Sequence, residues 1–238
     1  MLEALIFDLD GTLADTEETH RQAFNAAFIE SELWWDWSPQ RYAELLHVSG
    51  GKERILHYVD TLGLPAAERA RLLELVPALH RTKTRIYTEL LEQGKRPFRP
   101  GVAKLLQAAS DAGLKLAIAS TTTSANIDAL LRANLSQAPH LAFSVIACGD
   151  QVRAKKPAPD LYNLVVASLH LPATNCIAFE DSLNGLRAAK AAGLVTVVTP
   201  SRWNASDDFS GADRVLASLE EVDVRGLERL LGEALAAA

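Results

Sequence analysis

The sequence has only two cysteines, Cys148 and Cys176, and neither stands in a C-x-x-C pair or beside a histidine. That excludes a disulfide framework and a cysteine-rich zinc site, and it leaves two reduced, buried thiols of a cytoplasmic protein as the expectation. Long apolar runs are missing too. Charges or glycines break every one within about ten residues, short of the ~20 that a membrane helix needs. No basic segment or cleavable apolar stretch precedes the strand-like run that starts at Leu2, so no secretion signal is expected. Cations are in the minority, 24 lysines and arginines against 30 acids, for a formal net charge of −6. Such a balance speaks against a general nucleic-acid or acidic-membrane surface. Any anionic ligand must therefore be met by local cations. There is no internal repeat or low-complexity segment, and no long apolar surface helix to mark an oligomer, so a monomer is expected. The Ala-rich tail, Leu235–Ala238, reads as a fraying helix end.

What the chain does have is core material, at 48% hydrophobic residues. Short apolar runs at 3–7, 114–119, 143–147, 175–179 and 194–198 carry turn signals around them. Helical patterns precede or separate the last four, at 101–112, 125–134, 158–169 and 183–192, with Gly113 and Gly193 as C-terminal stops. Near-continuous apolar strands alternating with helices predict a parallel sheet covered on both faces, a Rossmann-like α/β core. Residues 16–94 read differently, with helical periodicity only. Ala23, Phe24, Ala27 and Phe28 make one face, and Ile55, Leu56, Val59 and Leu62 another. Ser38-Pro39 suits a helix start, while Gly63 and Gly94 suit stops. The expected organisation is an α/β core of residues 1–15 and 95–238, interrupted by an all-helical insert at 16–94. Hinges are expected near Ala14–Thr16 and in KRPFRPG, Lys95 to Gly101.

The chemistry starts at D-x-D-G-T, Asp8 to Thr12. Ligands of a parallel α/β sheet bind at the carboxyl ends of its strands, where Asp8 falls. A carboxylate there can attack phosphorus and form an aspartyl-phosphate. A second one two residues on, Asp10, can protonate a leaving alkoxide and later deprotonate water. A hard cation such as Mg²⁺ between carboxylates and phosphate would relieve their repulsion. A strand ending in solvated carboxylates is the plainer reading. An EF-hand loop fits poorly, since Thr19 stands where its last ligand should be a glutamate. Other predicted strands end in Ser120-Thr121, in Glu180-Asp181 ahead of the helix cap Ser182, and near Lys155-Lys156 in AKKPAPD. Each taken singly is an ordinary turn or capping residue. Four such groups at the ends of strands in one sheet do not share a plain explanation easily.

In this order, and with a helical insert after the first motif, the set resembles the haloacid-dehalogenase superfamily of phosphohydrolases over nearly the whole chain. The resemblance implies a Mg²⁺-dependent phosphatase with Asp8 as nucleophile and Asp10 as general acid/base. It further implies Ser120 and Thr121 on the phosphoryl oxygens and Lys156 as the balancing charge. The metal would be held by Asp8, the Asp10 main chain and Asp181, with Glu180 near it. Members that attack carbon lack the second aspartate, so Asp10 argues for phosphoryl transfer.

The insert resembles the helical cap of sugar-phosphate members, whose closure excludes water and carries specificity. Glu17 and His20, three apart on one helix face, are candidate substrate contacts. So are Gly50, Gly51, Lys52 and Arg54 of SGGKER, read as flexible backbone with two cations for a distal phosphate. His80, Lys83 and Tyr87 recur as a polar stripe that either faces the cleft or is a satisfied core set. Trp34, Trp35 and Trp37 read as packing inside the insert. TEETH, SGGKER and FEDSLNGLRAAKAAG together resemble the CbbY-type phosphatases, which act on xylulose-1,5-bisphosphate, a misfire product that inhibits Rubisco. That implies a small-molecule bisphosphate as partner, with no nucleic acid and no membrane. β-Phosphoglucomutase shares core and cap but usually has a small residue where this chain has Glu17. A non-catalytic sugar-phosphate binder is a third reading, opposed by the fact that each chemical position is filled.

Overall fold

The computed structural model describes residues 1–94, 96–135 and 143–237; Lys95, placed at the second hinge by the sequence, and Ala238 lie outside the described residues. Six parallel strands form one sheet in the order β3-β2-β1-β4-β5-β6. They are β1 (Ala4–Phe7), β2 (Lys115–Ala119), β3 (Val145–Ala147), β4 (Cys176–Glu180), β5 (Val195–Val198) and β6 (Arg214–Val215). β1 is central and wholly buried, which its unbroken apolar composition dictates. Its side chains alternate between the two faces. Leu5 and Phe7 join the cluster under α5 (Val102–Asp111), α6 (Ser124–Leu135) and α9 (Val224–Ala237). Ala4 and Ile6 join the one under α7 (Asp160–Leu169) and α8 (Leu183–Ala191). Each of the large β1 side chains contributes about 1.5–3 kcal/mol by this burial.

Register then decides where the chemistry goes. Phe7 pairs with Ile118 on one side and with Phe179 on the other, its ring stacked on Phe179 at 4.7 Å. The next residue of each strand therefore emerges at the same carboxyl edge: Asp8, then Ser120 one step past β2, then Glu180 and Asp181.

Between β1 and β2 lie α1 (Glu17–Glu30), α2 (Pro39–Leu45), α3 (Gly51–Thr61) and α4 (Ala66–Gln93). They enclose an aromatic cluster built on Phe24, Phe28, Trp37 and Tyr42. Ser38 caps α2 as its position predicts, its Oγ accepting the Arg41 N–H at 3.1 Å. SGGKER is not a flexible loop: Gly50 turns the chain with φ +94°, and Gly51 and Lys52 already form the first turn of α3. The tryptophans divide. Trp37 is fully buried and Trp35 packs beside it, but Trp34 is entirely exposed and takes no part in that core. Two elements lie outside the patterns read from sequence, except for the helix end at Leu235–Ala238. β6 has two exposed residues and no period to detect. α9 is buried through Leu227, Leu230 and Leu231, an i, i+3, i+4 pattern that was legible. No helix among the described residues is long and apolar enough to cross a membrane.

Candidate active site

Three carboxylates meet at the sheet edge. Asp8, Glu180 and Asp181 are all buried, and each offers an oxygen within 4.8 Å of the others. Lys156 reaches in from the segment before α7, its Nζ donating to Asp8 Oδ1 at 2.7 Å and to Glu180 Oε1 at 2.5 Å. Tyr162 donates a further hydrogen bond to the same Glu180 oxygen at 2.5 Å. Two glycines permit the crowding. A Cβ on Gly11, at φ +86°, would lie 2.2 Å from Asp181 Oδ2, and one on Gly185 would lie 1.8 Å from Glu180 Oε2.

The charges do not balance. Burial pushes Asp8 well above the usual carboxylate range, with Glu180 and Asp181 adding repulsion and Lys156 opposing it. Asp181 is raised to about 7, again by burial first and then by Glu180. Burial would lower Lys156, but Asp8 and Glu180 hold it above its ordinary value, so it is a fixed cation. With all three carboxylates ionised, the single ammonium leaves a deficit equal to a divalent cation. Glu180 Oε2 also has no hydrogen-bond partner among the described residues. An all-oxygen donor set with an orphaned acceptor suits a hard cation such as Mg²⁺. Removing Lys156 should be felt as instability: Lys156→Met leaves buried carboxylates uncompensated, at a cost of about 3–5 kcal/mol. Urea unfolding in chelator is the check, and an unchanged midpoint would contradict this account of the charges.

Asp10 faces the helical insert. Thr16 Oγ1 donates to its Oδ1 at 2.5 Å and His20 Nε2 lies 2.9 Å from the same atom. Burial alone would raise Asp10, but the attraction and hydrogen bond of His20, the Thr16 bond and Lys83 bring it down to about 2. Behind His20, Lys83 Nζ stands 2.6 Å from Nδ1, and Tyr87 stacks on the imidazole at 4.0 Å. Burial, reinforced by Arg54, lowers Lys83 to about 7 against the pull of Asp10 and Glu17. With Lys83 charged, its N–H donates to Nδ1, which fixes the tautomer that donates Nε2–H to Asp10. The polar stripe of the sequence is thus divided: Lys83 and Tyr87 support His20. His80 faces the cavity as a neutral ring, lowered to about 3 by burial and then by Lys83, Lys52 and Lys155.

A polar cavity joins the two groups. It is lined by Asp8, Asp10, Glu17, His20, Gly50 and Gly51, and by Ser120, Thr121, Lys156 and Asp181. Glu17 is aimed by the Tyr42 hydroxyl, which donates to it at 2.7 Å and accepts from Arg54 Nη1 at 3.0 Å. Arg54, a predicted substrate contact, lines the cavity while buried, and is also bonded to the Leu45 carbonyl at 3.2 Å. Lys52 stands outside the lining, its half-exposed ammonium paired with Asp150 at 3.1 Å. Lys155 lines the cavity instead, paired with Glu53 at 3.2 Å. Beside it, at the start of α6, Thr123 Oγ1 and Asn126 Oδ1 are buried without a partner among the described residues. Sequence reasoning missed Thr16, Tyr42, Tyr162 and Asn204, single polar residues outside any spacing pattern.

Residues 2–193 match the model of the haloacid dehalogenase-like hydrolases. A plasmid CbbY protein of Cupriavidus necator is 51% identical over 218 residues, covering 92% of this chain and 86% of that one. The crystal structure of CbbY from Rhodobacter sphaeroides in complex with phosphate superimposes with a TM-score of 0.88 at 43% identity, over 96% of this chain and 100% of that chain. A mutant of that CbbY in complex with xylulose-1,5-bisphosphate gives a TM-score of 0.87 at 42% identity, over 95% of this chain and 99% of that one.

Proposed function

Because the chain belongs to the haloacid dehalogenase-like hydrolases and is a sugar-phosphate phosphatase, we propose that it hydrolyses xylulose-1,5-bisphosphate to xylulose-5-phosphate and inorganic phosphate, with Mg²⁺ as cofactor. The observation that carries this reading is a cavity with two places for a phosphate. One is the Asp8 group. The other is Lys155 with the unpartnered hydroxyl of Thr123 just ahead of α6. A second dianion needs its own cation. Lys156 is committed to Asp8 and Glu180, Lys83 to His20, and Arg54 to Tyr42. Lys155 is the lining cation whose partner, the part-exposed Glu53 at 3.2 Å, can turn to solvent and release it to a second phosphate. The proposed distal contact is thus Lys155 rather than Lys52 or Arg54, the two cations of SGGKER.

In the proposed reaction Asp8 attacks phosphorus, the ester P–O bond breaks, and Asp10 gives the leaving sugar oxygen its proton. Asp10 is ionised in the free protein. A phosphate dianion entering beside it raises its proton affinity, and His20 passes it the Nε2 proton while Lys83 Nζ gives one to Nδ1, so the imidazole stays neutral. Asp10, again a carboxylate, then takes a proton from water, which attacks the aspartyl-phosphate and frees phosphate and Asp8. Ser120 and Thr121 bind phosphoryl oxygens throughout, and Lys156 holds the charge that grows on them. Asp8, Asp181, Glu180 and the Asp10 main chain would hold Mg²⁺, which supplies charge neutralisation at the phosphoryl group. Residues 16–94 serve as the cap that excludes bulk water. Glu17, oriented by Tyr42, contacts a sugar hydroxyl.

The two-phosphate reading has a direct test in steady-state kinetics on substrates with and without the distal phosphate. Lys155→Ala should raise KM for xylulose-1,5-bisphosphate by about tenfold or more, the order of one charge-assisted bond. It should change KM for a monophosphate little. Equal effects on both would remove Lys155 from the distal site.

A further inference from the structure

One stretch that no sequence motif singled out touches both halves of the site. The segment Ser201–Asn204 follows β5, and its base is fastened firmly. Arg99 donates to the Thr199 carbonyl at 2.8 Å and to the Pro200 carbonyl at 3.1 Å, and also bonds the Gly11 carbonyl beside the nucleophile. Ser201 is buried, and its carbonyl accepts the Asn204 N–H at 3.1 Å, closing a tight turn. From that turn two neighbouring side chains diverge. Asn204 Nδ2 donates to Asp181 Oδ2 at 2.9 Å, and to Ser201 Oγ at 3.1 Å. Trp203 leaves the core and packs against the aromatic cluster of the helical insert, meeting the Tyr42 ring edge-on at 5.6 Å. The Tyr42 hydroxyl is the group that aims Glu17. Arg202 lies over the Trp203 ring at 5.1 Å and within 4.0 Å of Glu18.

A continuous set of contacts therefore runs from Glu17 through Tyr42, Trp203 and Asn204 to Asp181. The tip of the turn is otherwise open, since Arg202, Ala205 and Ser206 are exposed. The indole is the buried-cluster contact that seats the turn on the helical insert. Without it the turn keeps its core-side bonds, Asn204 to Ser201 and Asp207 to Asn204, but loses its link to the insert, and Asn204 then gives up more freedom each time it meets Asp181.

We propose that Trp203 and Asn204 are positioning residues that tie the seat of the helical insert on the core to the orientation of Asp181, so that cation binding and seating of the insert favour one another. Such coupling is reciprocal: the state in which the indole docks on Tyr42 is the state in which Asp181 is held ready. This inference rests on the proposed role of Asp181 as a cation ligand.

The test is the affinity of the metal-free, full-length protein for Mg²⁺ alone, read by calorimetric titration without substrate. Asn204→Ala and Trp203→Ala should each weaken Mg²⁺ binding by about tenfold or more, the range for groups that orient metal ligands. The double variant should be no weaker than the weaker single, because both changes break one linkage. Trp203→Phe, which keeps a ring against Tyr42, should bind within about threefold of the unaltered protein, inside the scatter expected of one ring contact. Full Mg²⁺ affinity in Trp203→Ala, with only KM for the sugar phosphate raised, would overturn the proposal and reduce Trp203 to packing. A double variant whose loss equals the product of the singles would overturn it as well. Asp181→Ala separates this failure from a deeper one: undiminished Mg²⁺ binding there would remove the cation site itself, and the proposal with it.

Discussion

Asp8→Asn is expected to lower phosphate release by about four orders of magnitude or more at saturating substrate, the scale on which covalent catalysis collapses when its nucleophile is lost. The change is nearly isosteric. It also removes one of three buried like charges, so folding should survive and the loss will be chemical. Burial already holds the Asp8 carboxyl well above its ordinary value, and neutralising it relieves repulsion from Glu180 and Asp181. The check is a phosphate-release assay alongside thermal unfolding. Turnover within tenfold of the unaltered protein would remove Asp8 from the nucleophile's role.

Asp10→Asn should cost about 10²–10⁴ in kcat, the usual worth of a positioned acid and base. KM should move far less, because the carboxamide would still fill the space beside Thr16 and His20. The same contacts predict a pH dependence. Lys83 holds its proton below about 7 and loses it as the pH rises through that value. With it goes the donor that fixes the His20 tautomer, so kcat/KM should fall on the alkaline side of about pH 7. Lys83→Met should be slower at neutral pH and lack that descending limb. A variant that keeps the limb would mean that another group sets it.

Much of this site was legible in the sequence, because strand ends in a parallel sheet converge whatever the loops do. An apolar strand running into Asp8, another into Ser120 and a third into Glu180-Asp181 needed only the register to become neighbours. Lys156 was readable for a related reason: a cation ahead of a helix at that same edge has few other places to go. The helical insert was harder. Lys52 and Arg54 are two residues apart in a basic stretch, yet one is at the rim on Asp150 and the other is buried on Tyr42. Which of them faces a ligand depends on where α3 begins, and Gly50 shifts that start by its positive φ. Tyr42, Thr16 and Asn204 act through hydrogen bonds to residues far along the chain or across a turn, and no periodicity announces such a bond. α9 could have been found from Leu227, Leu230 and Leu231, whereas the two exposed residues of β6 could not.

The substrate assignment can be decided by one comparison: kcat/KM for release of phosphate from xylulose-1,5-bisphosphate, xylulose-5-phosphate and β-glucose-1-phosphate, with Mg²⁺ and with chelator. The account predicts that the bisphosphate exceeds either monophosphate by about 100-fold or more, the worth of two or more charge-assisted bonds at the second phosphate. It predicts xylulose-5-phosphate as the product, and no turnover in chelator. Equal rates on all three, or conversion of β-glucose-1-phosphate to the 6-phosphate without release of phosphate, would contradict it.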